Sequence, residues 1–463
     1  MTSIQLFFAI SLPWLSGVVL ICYLCHLQRE WLPKTIIAGY GYLLGMVLTT
    51  LIMRAVPLSA HFISAALIIL CCYPVTVLWH QSSVSKSRLI SSIHLNKIKF
   101  NWSVMLAVGI VGLITLHIYL LAIDILLKPL FAWDAWATWS VKARTWFELK
   151  QIVAFVDRPT WLSQIDHSSH VLDAWHYPDT VPLIQTWVAL MINHWDDTLI
   201  NLPWLFCFIA LGLGFYGQLC LLQIPNTMKL ISVYLLISLP LFNAHVAVAG
   251  YADLWLSTAY SFLTLALIQS MITKSSTQFI LAVSLAFCVA LIKTEGVVLL
   301  LTVIPMWVAI RLSSAILKRL VVACVALLTG LSAVLYFFNE MHLSIPYLGD
   351  FVISYHPVWD SVLTNYFELP VWHLLCYLTL IGLLFATFVP SLPTNQRKLV
   401  LILPVTLLCY LFVLFFLTQN YSWAEQYSSI NRITLHLLPS IIFCLLLIFD
   451  QRLNNRHLLG KTA

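Results

Sequence analysis

The chain has 463 residues, of which 61% are hydrophobic and only 9% charged, and its mean hydropathy is +0.92. So few polar groups cannot cover the surface of a water-soluble globule, and the composition therefore indicates a polytopic membrane protein. The formal net charge of +6 says little alone, whereas the positions of the charges are informative.

Thirteen apolar stretches approach the roughly 20 residues that a helix needs to cross a bilayer. They cover residues 4–24, 35–53, 60–80, 103–127, 198–222, 229–247, 252–273, 277–292, 295–313, 317–338, 371–390, 398–418 and 430–449. We therefore predict an all-α fold with about 13 transmembrane helices. The first stretch lacks a small-residue cleavage site and is interpreted as a retained span. The run 180–192 is too short to cross and is predicted to be a re-entrant or interfacial helix.

Basic residues predict the orientation of the spans. With the N-terminus outside, 16 of the 24 Lys and Arg residues lie inside: Arg29, Lys34, Lys86, Arg88, Lys97, Lys99, Lys229, Lys274, Arg311, Lys318, Arg319, Arg397, Lys398, Arg452, Arg456 and Lys461. Of the 18 acids, only Glu30 and Asp450 lie inside. The surplus of outer carboxylates predicts that the chemistry is on that side, where segments 128–197, 339–370 and 419–429 protrude.

The first outer segment opens with the motif FAWDAWATWS at residues 131–140. Five residues share one face of a helix at spacings of three and four: Trp133, Trp136, Ser140, Ala143 and Phe147. An amphipathic helix in the outer interface accounts for the tryptophans, but it does not account for Asp134. A carboxylate flanked by indoles is partly desolvated and costs stability unless it is paired or used. We therefore predict a functional role for Asp134.

Two further acids stand at the start of predicted helices. His176, Tyr177 and Asp179 cluster before the short helix at 180–192, and Asp253 follows the Gly-Tyr-Ala turn of AGYADLWLS. A helix cap is the simplest interpretation of either acid. For Asp179, capping and substrate contact are both open.

Charged residues also occur at membrane depth. Lys293 and Glu295 of LIKTEGVVLL lie in a tight connection between two apolar runs. They either face a polar cavity or form a structural pair. Arg432 and His436 of SSINRITLHLLPS share one face at the start of the last span. There Arg432 either binds a phosphate or reaches lipid headgroups.

Familiar soluble-enzyme signatures are absent from the sequence. There is no Walker A, no GxGxxG at a strand-to-helix turn, no HExxH and no GxSxG motif, which argues against a nucleotide-driven pump or a soluble-type hydrolase. Nine of the 11 cysteines lie within apolar runs, so no disulfide framework is expected. Cys22 and Cys25, a CxxC pair, are interpreted as small buried side chains.

The order of these motifs resembles that of bacterial membrane glycosyltransferases of the GT-C superfamily. It is closest to the protein-mannosyltransferase-like and aminoarabinose-transferase-like members. The features that carry the resemblance are an acid opening the first outer loop, a YP segment, GYAD, KTEG and a late arginine. The resemblance covers 103–449, which makes 1–102 a three-span addition and 450–463 a cytoplasmic tail.

The resemblance implies an inverting transfer of sugar from a polyprenyl-phosphate donor at the outer face of a bacterial inner membrane. The acceptor is a glycan, a lipid or a protein of the envelope, membrane lipid surrounds the site, and no nucleic acid is involved. Asp134 then acts as general base and Asp253 positions a substrate. Lys293 and Arg432 neutralise the departing phosphate, and Glu295 orients Lys293.

The remaining contacts implied by the resemblance are with the sugar or the lipid chain. His176 and Tyr177 contact the sugar or phosphate, and Trp133 and Trp136 stack on sugars or line the chain's path. Together Asp134, Asp253, Lys293, Glu295 and Arg432 are expected to line one cavity. Many family members carry paired acids where Asp134 stands alone, so we expect no bound metal or other cofactor.

Two other functions fit parts of the sequence. A haem-handling protein would explain tryptophans beside histidines in one outer segment, where His167, His170, His176 and His194 occur. A transporter would explain acids in a polar cavity, although the matched broken spans of many transporters are not evident.

Overall fold

The computed structural model describes residues 2–85, 102–165, 168–338, 340–345, 349–388 and 394–450. Its regular structure is almost entirely helical, which confirms the predicted all-α class. Outside the described residues lie His167 and seven predicted inner cations: Lys86, Arg88, Lys97, Lys99, Arg452, Arg456 and Lys461. Contacts divide the chain into two compact units, each of which is considered by itself.

The first unit comprises 1–221, 225–238 and 242–297. Its α-helices are α1 (Thr2–Gln28), α2 (Lys34–Ala55), α3 (Ala60–Ser85), α4 (Trp102–Leu127), α5 (Val141–Leu149), α6 (Arg158–Ser163), α7 (Thr180–Ile192), α8 (Leu202–Cys220), α9 (Asn226–Ile237), α10 (Pro240–Ala247), α11 (Asp253–Thr273) and α12 (Ser276–Ile292). A π-helical turn, Ala135–Ser140, precedes α5, and a 3-10 turn, Leu199–Asn201, precedes α8. Strands β1 (Phe155–Val156) and β2 (His170–Val171) pair in parallel.

The second unit comprises 222–224, 239–241 and 298–463. Its α-helices are α13 (Thr294–Ala309, which starts in the first unit), α14 (Ser314–Phe338), α15 (Trp359–Leu363), α16 (Leu375–Phe388), α17 (Thr394–Phe416), α18 (Tyr421–Glu425), α19 (Ser429–Leu435) and α20 (Leu438–Leu446). Strands β3 (Glu340–Ile345) and β4 (Gly349–Ser354) form an antiparallel pair. Short helical turns cover Thr364–Glu368, Pro370–Trp372 and Leu447–Phe449.

The described part of the chain contains eight helices long and apolar enough to cross a membrane, or ten if two bent pairs each count as one span. It is therefore a multi-pass membrane protein, but thirteen spans are not confirmed. The helices α12, α13 and α16 have only 17, 16 and 14 residues. At about 1.5 Å per residue they reach about 21 to 26 Å, less than the roughly 30 Å hydrocarbon core.

Small residues bring α1 and α2 into close contact. A Cβ atom on Gly17 would lie 1.9 Å from the Gly41 carbonyl oxygen, and one on Gly45 would lie 1.8 Å from that of Pro13. Backbones can approach this closely only where glycine removes the side chain, a common device in helix packing within membranes.

The first three spans are packed within the first unit rather than beside it. Tyr42 donates a hydrogen bond to the Pro203 carbonyl at 3.0 Å, which joins α2 to α8. Trp187 Nε1 donates to the Ala9 carbonyl at 2.8 Å, which joins α7 to α1. Helix α7 is almost wholly buried and has 13 residues, so it enters the unit without spanning it, as 180–192 was predicted to do. The limits 103 and 449 of a catalytic core stay a prediction.

Glu30, a predicted inner residue, and Asp253, a predicted outer residue, lie at or beyond opposite ends of one long helix. Helix α11 runs for 21 residues, about 31 Å, from Asp253 to Thr273. Beyond its far end, Glu30 accepts hydrogen bonds from the Ser275 hydroxyl and from the amides of Ser276 and Thr277. Burial favours the neutral acid, but these hydrogen bonds outweigh it and lower the pKa of Glu30. The outer candidates gather around the other end, at Asp253.

Candidate functional site

The KTEG motif forms a sharp break between α12 and α13. Lys293 is extended, with φ −155° and ψ 148°, and ends α12. The Gly296 amide donates to the Lys293 carbonyl at 2.9 Å. A Cβ on Gly296 would lie 2.1 Å from the Val289 carbonyl oxygen, so the turn requires glycine. This break holds the lysine side chain at the end of the membrane helix.

Three predicted site residues meet at this break in an ion cluster. Lys293 Nζ lies 3.1 Å from Asp253 Oδ1 and 3.1 Å from Glu295 Oε1. The Asp253 side chain is fully buried, that of Lys293 is 7% exposed, and that of Glu295 is 31% exposed. A helix cap does not account for an Asp253 carboxylate that holds a buried ammonium. The predicted pairing of Lys293 with Glu295 is present.

Tyr177 joins the ion cluster from the outer loop. Its hydroxyl donates to Glu295 Oε1 at 3.4 Å, and Lys293 Nζ lies 5.9 Å from its ring centroid. The Thr294 hydroxyl donates to Glu295 Oε2 at 3.0 Å. Both oxygens of Glu295 therefore accept hydrogen bonds, which stabilises its ionised form. His176, whose ring centroid is 4.7 Å from that of Tyr177, is exposed beside the cluster.

A second buried lysine holds residues 176–179, the HYPD segment, in place. Lys142 Nζ donates to the carbonyls of Trp175 and Tyr177, each at 2.9 Å, and to Asp179 Oδ1 at 3.2 Å. Burial lowers the pKa of Lys142, and the attraction of Asp179 opposes that shift. Lys142 therefore fixes the backbone on which Tyr177 is mounted.

The carboxylate of Asp179 pairs with cations rather than capping α7. It makes no capping hydrogen bond within the described chain. Besides Lys142, it faces Arg54, whose Nη2 lies 3.8 Å from Asp179 Oδ2. Asp179 occupies the N-cap position of α7, where its carbonyl accepts from the Leu183 amide at 2.9 Å, but its side chain does not cap the helix. Its ion pairs tie the HYPD segment to the end of α2, whereas contact with a substrate stays open.

Replacement of Lys142 by methionine is expected to loosen the HYPD segment, because two carbonyls and one carboxylate lose their donor. A buried charged hydrogen-bond partner of this kind contributes about 1.5 to 3 kcal/mol. In amide hydrogen exchange, residues 174–180 should exchange faster in Lys142→Met, while α11 stays protected. Lys150→Met, a change to an exposed lysine of the same loop, should leave both regions unchanged. Equal protection in all three proteins would contradict this role.

The GYAD turn contacts the opening of the first outer loop. Gly250 has φ +107°, and a Cβ there would lie 2.5 Å from Ala135 Cβ and 3.4 Å from Ala135 Cα. Asp134 adjoins Ala135, and Asp253 follows Gly250 by three residues. Because consecutive Cα atoms are about 3.8 Å apart, the Cα atoms of the two acids lie within about 20 Å. They share one end of the unit, as predicted.

The helical face predicted from Trp133 to Phe147 is not continuous. Ser140, Ala143 and Phe147 are buried, whereas Trp133 and Trp136 are 69% and 46% exposed. The exposed indoles contact each other edge to face, with ring centroids 4.7 Å apart. Their exposure fits both an interfacial anchor and a surface for substrate.

The cause of this difference is the π-helical turn Ala135–Ser140. A π-helix takes more residues per turn than an α-helix, so an α-helical register projected across it is displaced. Trp139 therefore takes the buried position, with its ring centroid 5.1 Å from that of Tyr177. Asp134 stands just before this turn and is half-buried.

Arg432 and His436 lie in the second unit. Arg432 is half-buried in α19, and His436 is buried just beyond that helix. On the same helix, the Thr434 hydroxyl is 2.6 Å from the Tyr366 hydroxyl. A single cavity that includes Arg432 stays a prediction.

Arg54 and Lys142 are charged neighbours of the site that the sequence did not bring to attention. Both belong to the minority of basic residues on the predicted outer side, and that scarcity was the available signal. Their partners are distant in the chain, so the sequence did not identify them.

Within the described residues, no group of three or more His, Cys, Asp or Glu side chains is arranged to hold a metal ion. No protein-family model, curated protein or solved structure matches the chain.

Proposed function

We propose that this protein transfers a sugar from a polyprenyl-phosphate donor to an envelope acceptor, with inversion at the sugar carbon. The observation that carries the proposal is the cluster of Asp253, Lys293 and Glu295 with Tyr177. Charges at the end of membrane helices are expensive to bury and are typical of functional sites. Asp134 and its exposed indoles belong to the same end of the unit.

The charge balance of the ion cluster indicates the role of each of its residues. Two carboxylates surround one ammonium, so Lys293 is already neutralised and is better suited to position Asp253 and Glu295 than to bind phosphate. Arg54 is 38% exposed, and its 3.8 Å contact with Asp179 is long. Its planar guanidinium suits a phosphate group. We assign the donor phosphate to Arg54, and Arg432 keeps the phosphate role that the resemblance implies.

In the proposed reaction, the Asp134 carboxylate accepts the proton of the acceptor hydroxyl. The acceptor oxygen attacks the anomeric carbon and forms the new glycosidic bond. The bond from that carbon to the phosphate oxygen breaks on the opposite face, which inverts the configuration. The polyprenyl phosphate leaves with one further negative charge, which Arg54 stabilises.

The same proposal includes an orientation in the membrane. Basic residues are concentrated on the side of Glu30, so the positive-inside rule assigns that side to the cytoplasm. The Asp253 end then faces outward in a bacterial inner membrane. A lipid-carried donor supplies an activated sugar on that side, where nucleotide sugars are absent.

Mass spectrometry of envelope glycans and prenyl-phosphate sugars tests the proposal. It compares cells that contain the protein with cells that lack it. We expect a sugar to be missing from one acceptor in the deficient cells, with its lipid-linked donor accumulating. Restoring the gene should reverse both changes. If neither the envelope glycans nor the prenyl-phosphate sugars differ between the two kinds of cell, the transferase is refuted.

A transporter is the second candidate, favoured by the fully buried Asp253 beside a lysine. Such a pair can exchange a proton as an ion or substrate passes. This function leaves the covalent structure of envelope glycans unchanged, so the same comparison separates it from glycosyl transfer.

A further inference from the structure

A cavity lies in the predicted outer loop of the first unit, and its lining includes no residue of the ion cluster. Its volume is about 560 Å³, within the range of small-molecule sites. The charged and aromatic side chains that line it are Trp136, Arg144, Glu148, His170, Trp195 and Asp197. We name it the Trp136–Trp195 pocket. The function proposed above uses none of its polar side chains.

Two indoles supply apolar walls to this pocket. Trp136 is 46% exposed, and Trp195 is half-buried. Trp195 Nε1 donates to Asp197 Oδ1 at 2.6 Å, which fixes the orientation of its ring. An oriented indole offers a flat apolar surface of the kind on which the C–H face of a sugar ring packs.

Hydrogen-bonding groups of both kinds accompany the indoles. Arg144 and Glu148, one turn apart on α5, are exposed, and neither forms a salt bridge within the described chain. The Arg144 guanidinium carbon lies 6.0 Å from the Trp195 ring centroid. Arg144 supplies donors, whereas Glu148 and Asp197 supply acceptors. Two carboxylates beside one arginine do not favour an anionic ligand.

We propose that the Trp136–Trp195 pocket binds a neutral pyranose unit of the acceptor. The indoles pack against the ring carbons of the pyranose. Arg144, Glu148 and Asp197 form hydrogen bonds with the hydroxyl groups of the pyranose. Trp136 follows Asp134 by two residues, so the pocket lies close in the chain to the proposed base. The acceptor role rests on the proposed function, whereas binding of the pyranose does not.

Saturation-transfer NMR on the full chain in lipid nanodiscs tests this site. The probes are the methyl pyranosides of glucose, galactose, mannose and N-acetylglucosamine, each offered alone. The variants are Trp195→Ala and Glu148→Gln. Trp31→Ala is the matched control, because Trp31 is 78% exposed and lies near Glu30 at the opposite end of the unit. Thermal unfolding of each protein establishes that it is folded.

We expect at least one pyranoside to receive saturation from the native protein and from Trp31→Ala. The saturation received by that pyranoside should fall at least fivefold in Trp195→Ala and in Glu148→Gln. If no probe receives saturation, or if the native protein and the folded pocket variants transfer saturation equally, the proposal is overturned. Pyranoside binding, with no change in envelope glycans between cells that contain and cells that lack the protein, would support the pocket and refute the transferase. Sugar-transfer activity without pyranoside binding would support the transferase and refute the pocket.

Discussion

Lys293→Met is expected to abolish function and to lower the free energy of unfolding by about 3 to 5 kcal/mol, the usual cost of leaving one partner of a buried ion pair alone. Asp253 is fully buried, and the Lys293 ammonium is 3.1 Å from its carboxylate. Without that ammonium, Asp253 must either take a proton or hold an uncompensated charge. Unfolding in mixed micelles of increasing dodecyl sulfate measures the loss.

The double variant Asp253→Asn with Lys293→Met separates folding from function. Removing both charges leaves no fully buried ion unpaired. Glu295 loses its ammonium, but it is 31% exposed and keeps the hydroxyl donors Tyr177 and Thr294, so we expect most of the lost stability to return. Transfer should remain undetectable, because the cluster that positions Glu295 is gone. Lys128→Met is the matched control. Its partner Asp124 lies 2.8 Å away, but both side chains are largely exposed, so the change should cost about 1 kcal/mol or less.

Two results would contradict this account of the cluster. If Lys293→Met is as stable as the native protein, the Asp253 carboxyl does not depend on the ammonium. If the double variant transfers sugar at the native rate, the cluster serves the fold alone. Either result would move the proposed chemistry away from Asp253 and Lys293.

Asp134→Asn is expected to reduce the initial rate of sugar transfer by about 10²- to 10⁴-fold, the usual contribution of a general base. The amide keeps the shape of the side chain but does not accept the proton. Because Asp134 is only half-buried, we expect the free energy of unfolding to change little. The assay uses purified protein with the lipid-linked donor that accumulates in deficient cells.

Asp124→Asn provides the control for that experiment. Asp124 lies at the end of α4, near the start of the same outer loop, and its side chain is 42% exposed. It should retain the native rate. A rate for Asp134→Asn within threefold of the native value would remove Asp134 from the role of base.

The ion cluster was largely predictable, because the signals for it are local. A Lys and a Glu two residues apart between apolar runs are rare and costly, as is an acid at the start of a span. These features selected Lys293 and Glu295 without knowledge of their distances, whereas Asp253 was interpreted locally as a helix cap and joined the predicted site through the resemblance. Which of these carboxylates is fully buried was not predictable, since it depends on how α11 and α12 pack.

The tryptophan motif shows why a helical face cannot always be read from spacing. The prediction assumed 3.6 residues per turn throughout, and the π-helical turn Ala135–Ser140 broke that assumption. As a result, Trp136 does not share the buried side of Ser140 and Ala143, and Trp139 is buried there instead. The nearby contact of Ala135 with Gly250 joins segments more than a hundred residues apart, and spacing carries no signal for it.

The sequence by itself determined the all-helical class and the apolar helices of a multi-pass membrane protein. Composition and charge bias act locally or through the solvent, so they can be read without coordinates. Only the tertiary structure decided the ends of α13 and α16, the partners of Arg54 and Lys142, and the Trp136–Trp195 pocket. Each of these results from packing between segments distant in the chain, whose geometry no local pattern specifies.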